Sequence, residues 1–91
     1  MTTLSAKLTF QIPHAQSLKE KRTVARGLIE KTRHKYNVSV AEVETQDVHQ
    51  TLTLGVAVVS GEYSHARNML EDIVRYMERN QNAELVSVVD E

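Results

Sequence analysis

The chain has no cysteine, no tryptophan, a single proline and only four aromatic side chains among its 91 residues, and each shortage excludes something. Without cysteine there is no disulfide, no thiolate metal site and no cysteine nucleophile. No apolar run approaches the roughly 20 residues that a membrane-spanning helix needs. The opening MTTLSAKL also lacks the continuous apolar stretch that follows a basic start in a secretory signal, so a cytoplasmic location is expected. The four histidines (His14, His34, His49, His65) have none of the short spacings that zinc sites use, and neither a metal nor a cofactor is expected.

What is present is an ordinary apolar and charged content, fitting one soluble domain over residues 1–91, with an uneven distribution of charge. The net charge of −1 conceals a segregation. Residues 17–36 hold Lys19, Lys21, Arg22, Arg26, Lys31, Arg33 and Lys35 against Glu20 and Glu30, a local balance of +5, and the rest of the chain stands at −6. A basic side is expected.

LSAKLTFQI (residues 4–12) alternates apolar and polar residues at the period of a half-buried strand, and Pro13 ends it. After PHAQ, Ser17 and Glu20 form the pattern of a capping box, and the spacing predicts an amphipathic helix to about residue 35. Asn37 suits a left-handed helix terminator. NVSVAEVET then reads as a strand at the sheet edge whose apolar parity switches from Val38 and Val40 to Val43, the mark of a bulge or of an edge strand. TLTLGVAVV (51–59) reads as a central strand buried on much of both faces. A second helix, about 62–79, is expected to turn Tyr63, Ala66, Leu70, Ile73, Val74 and Met77 inward, and ELVSVV supplies a last strand. The order β-α-β-β-α-β closes naturally as a two-layer α+β sandwich of ferredoxin-like form, with two helices on one face of a four-stranded antiparallel sheet and the first and third strands central.

On the first helix Lys19, Arg22, Arg26 and Arg33 fall within an arc of about 60°, free of acids, a cationic ridge that suits a nucleic-acid backbone or an acidic protein. Lys31 and Lys35 add to the field, whereas Lys21 points toward the core and is expected to snorkel. Against the ridge stands a plainer reading, a solvated helix face with Glu30 pairing to Arg26, Arg33 or His34. The turn ETQDVHQ gathers Gln46, Asp47, His49 and Gln50, where an extended backbone would put Asp47 and His49 on one side, yet no nucleophile accompanies them. RNA-recognition motifs stack bases on aromatics of the central strands, which TLTLGVAVVS lacks, and there is no GxxG loop of the KH type. An acylphosphatase would need an arginine in the loop after the first strand, where this chain has PHAQ.

The stretches AQSLKEKR, YNVSVAEV, QDVHQ and GVAVVS, in this order and spacing, resemble the YlxP-like family of small uncharacterised bacterial proteins. The resemblance covers nearly the whole chain and rests on Ser17 to Arg22, Asn37 to Ser39, Gln46, Asp47 and Gln50; it departs at His49, often tryptophan in the family, and at Thr51, often basic. It implies a ferredoxin-like fold and, because genes of the family commonly neighbour those of translation initiation and ribosome maturation, a role near RNA. The expectation is a non-enzymatic accessory protein that binds structured RNA or a ribosomal surface through the ridge. The alternative is a homodimeric interaction module.

Overall fold

The computed structural model describes residues 1–91. Six elements follow in order: β1 (Thr2–Gln11), α1 (Leu18–Lys35), β2 (Ser39–Glu44), β3 (Thr51–Ser60), α2 (Tyr63–Glu78) and β4 (Glu84–Asp90). The strands form one antiparallel sheet in the order β2-β3-β1-β4, with the expected first and third strands at its centre. β1 and β3 pair along all ten residues, from Thr2 opposite Ser60 to Gln11 opposite Thr51.

Strand alternation decides what lies under the helices. Ala6, Leu8 and Phe10 of β1, Val40 of β2 and Leu52, Leu54, Val56 and Val58 of β3 point to one side, where they meet Ala25 and Leu28 of α1 and Ala66, Leu70, Ile73 and Met77 of α2. The helices cover this face alone. The other face of β3 is therefore not buried as its apolar content suggests: Ala57 is half-buried and Val59 is 57% exposed. Thr53 is the exception, because the Thr45 hydroxyl folds over it and accepts its backbone N–H at 3.1 Å.

The parity switch in β2 is a bulge at the sheet edge. Register slips between Glu42 and Glu44, and the extra residue, Val43, packs on Gly55 of β3. A β-carbon at Gly55 would stand 2.9 Å from a Val43 methyl, so the glycine makes room for the bulge. Two local expectations fail. Helix α1 ends at Tyr36, whose backbone swings extended while its N–H donates to the Thr32 carbonyl; Thr45, and not Asn37, is the residue at positive φ. Tyr63, at the first turn of α2, lies 59% exposed because the core begins at Ala66.

Candidate nucleic-acid interface

At the start of α1 the Ser17 hydroxyl accepts the Glu20 N–H at 3.1 Å. Glu20 reaches back to the N–H of Gln16 at 3.3 Å, one residue before the cap, so a displaced capping box fixes the helix entry. Lys21 does not snorkel. Its side chain is fully buried, and its ammonium donates to the carbonyls of Thr45, Val48 (2.6 Å) and Thr51 (3.2 Å) while lying 2.8 Å from a Glu42 carboxylate oxygen. That oxygen is itself buried and finds no other partner. One cation thus ties the helix to the β2–β3 turn.

The turn is consequently folded, and the extended arrangement that would pair Asp47 with His49 does not occur. Both side chains are exposed and unbonded to each other. Gln50 donates to the carbonyls of Pro13 and Ala15, both at 3.3 Å, and Gln46 to that of Glu42 at 3.5 Å, so these two amides brace loops. No three His, Asp or Glu side chains gather at one point.

Lys19, Arg22, Arg26 and Arg33 are all exposed along one flank of α1. Arg33, nearest β2, donates to the Val40 carbonyl at 2.6 Å and keeps its remaining donors free. Glu30 pairs with none of them. The pairing pattern over the chain is sharply divided. Lys7, Lys21, Arg67 and Arg75 each have an acidic partner, whereas Lys19, Arg22, Arg26, Lys31, Arg33, Lys35 and Arg79 have none. Six of these seven free cations belong to α1.

The seventh, Arg79, was not singled out by sequence because it belongs to neither the first helix nor its charge run. It follows α2 and faces Lys31 and Lys35 across a groove of about 760 Å3 between the helices. Val24, Leu28 and Tyr76 form its apolar wall, and Gly27 opens its middle, with nothing within 4 Å of where a β-carbon would stand. The Lys35 ammonium sits 5.0 Å from the centre of the Tyr76 ring, a cation–π contact that holds it at the groove. The only sequence signal for this groove is a glycine inside an otherwise strong helix.

Residues 3–89 match the family described as "Protein of unknown function (DUF503)". The uncharacterized protein YlxP of Bacillus subtilis (strain 168) is 33% identical over 64 residues, 70% of each chain. Among solved structures, a de novo designed protein with ferredoxin fold superposes with a TM-score of 0.56 at 17% identity, covering all of this chain and 84% of the design. The latter likeness is one of fold.

Proposed function

The chain belongs to DUF503, a family whose function is unknown, and from its surface we propose that it is a non-enzymatic accessory protein that binds structured RNA, including RNA exposed on the ribosome, through Lys19, Arg22, Arg26 and Arg33. Lys31 and Lys35 extend the field. The observation that carries this reading is the division of ion pairs: Lys7, Arg67 and Arg75 are neutralised in place, as is Lys21 inside the fold, while six of the seven cations of α1 stand unpaired, Lys19, Arg22, Arg26 and Arg33 together on one flank. Unpaired arginines shed fewer protein contacts when they meet phosphate, and their fork donates two parallel hydrogen bonds. Sequence readout has no aromatic platform on the sheet, so recognition would follow backbone shape and charge.

Four phosphate contacts predict a log–log salt slope of roughly −3 to −4 for duplex RNA, by analogy with about −0.9 per phosphate on B-DNA. Changing Arg22 and Arg26 to Ala should flatten that slope by about two without unfolding the chain. Co-sedimentation with ribosomal particles across a salt series gives the same information on a natural target. A folded double variant with an unchanged slope would remove the ridge from the interface.

A second reading, a homodimer joined through the open sheet face, is favoured by one observation. Val43, Val59 and Val89 lie on that face, each about half exposed, around the small side chains of Ser5, Ala41, Gly55 and Ala57. The Lys7–Glu44 ion pair of 2.8 Å crosses it, and the hydrogen bond to Glu44 holds the Lys7 ammonium above its ordinary pKa. Sedimentation equilibrium at micromolar concentration decides: a single species at 10.3 kDa excludes the dimer under those conditions, whereas twice that mass, lowered by Val59→Lys, places the contact on this face.

A further inference from the structure

The ridge and the inter-helix groove lie on different flanks of α1, and the groove has a chemistry of its own. Lys31, Lys35 and Arg79 line it, no acid does, and none of the three has an ion-pair partner within the chain. Its amides are of two kinds. Asn80 is spent: it donates to the Met77 and Ala83 carbonyls and accepts the N–H groups of Asn82 and Ala83. The side chains of Gln81 and Asn82 make no hydrogen bond and are exposed at the rim. An apolar wall, a cluster of cations and unspent amides together exceed what inorganic phosphate uses. They match the three parts of a nucleotide: base face, phosphate and base edge.

Gly27 is the second observation. A glycine in the interior of an 18-residue helix weakens the helix, and here no neighbour requires its small size. What its lack of a side chain does is keep the groove open beside Lys31. The volume of about 760 Å3 falls within the ordinary range of small-ligand sites, roughly 300–1,000 Å3.

We propose that this groove is a nucleotide-binding site, with Lys31, Lys35 and Arg79 on the phosphate, the Val24–Leu28–Tyr76 wall against the base, and Gln81 and Asn82 on the base edge. Under the RNA-binding reading, on which its biological use rests, the occupant is an unpaired nucleotide of the bound RNA. The site thereby supplies what the sheet lacks, a place for a base out of its stack.

The test titrates the intact protein with uridine 5′-monophosphate, uridine, inorganic phosphate and a hexaglutamate peptide, followed by amide NMR. The monophosphate should move the amides of Gly27, Lys31 and residues 79–82, and bind at least tenfold more tightly than uridine or phosphate. Gly27→Leu, which fills the groove without removing a charge, should weaken the monophosphate at least tenfold while leaving the salt slope for blunt duplex RNA unchanged. Arg79→Ala, at an exposed position outside the helices, should give a similar loss should the leucine disturb packing. Equal shifts from hexaglutamate and the monophosphate would overturn the site as a nucleotide site, leaving a general anionic surface. Duplex binding through the ridge with no groove shifts from the monophosphate would also overturn it and leave the ridge standing. Groove shifts without any duplex or ribosomal binding would support the site and sink the RNA reading.

Discussion

Lys21 carries its charge into the interior and there replaces what a bound ion would do, gathering three carbonyls and a carboxylate around one ammonium. Removing one member of a buried pair strands the other, so Lys21→Met should cost about 3–5 kcal/mol in urea unfolding, even though methionine fits the same length of chain. It should also loosen Thr45, a β-branched residue held at φ 62°, a conformation such residues rarely adopt. Helical spacing did place Lys21 in the inward arc. Its carbonyl partners, 24 to 30 residues away, and Glu42 in β2 were beyond a reading that projects one helix at a time. The same limit hid the contact of Gly55 with Val43. Gly55→Ala should destabilise by about 1–2 kcal/mol through overpacking, and by less than about 0.5 kcal/mol in a Val43→Ala background. Additive costs in that double-mutant cycle would separate the glycine from the bulge.

At the scale of elements, α1 is the best test of local chemistry. Its bounds follow from the Ser17 cap and the apolar period, and Ser17→Ala should lower stability by about 1 kcal/mol in calorimetry, the ordinary worth of an N-cap hydrogen bond. A variant that melts with the parent but loses its partner would make Ser17 a contact residue instead. Gly27→Ala should do the reverse, raising stability by roughly 0.5–1 kcal/mol, since alanine is the better helix former and meets open space. Strand order and edge position were legible because parity and connection rules leave few alternatives. Tyr63 was misread because periodicity gives direction around an axis and not reach along it. Its place on α2 faces correctly but lies beyond the end of the core.

Over the whole molecule, the two sides differ in how their charges are used. The basic run was legible as a count, +5 against −6, but the count could not say which cations already had partners, and therefore it missed Arg79 and the groove. The division has a consequence at the bench. With a net charge of −1 and an isoelectric point near 6.4, the protein should drift toward the anode on a native gel at pH 7.5. A planar resin, however, meets one side of a molecule at a time. The same protein should be held by a phosphocellulose column at that pH and leave it only as salt rises, and Arg22→Ala with Arg26→Ala should bring it through with the wash. Its migration and its adsorption then report opposite signs of charge, because the first averages the surface and the second selects the face that carries the free cations.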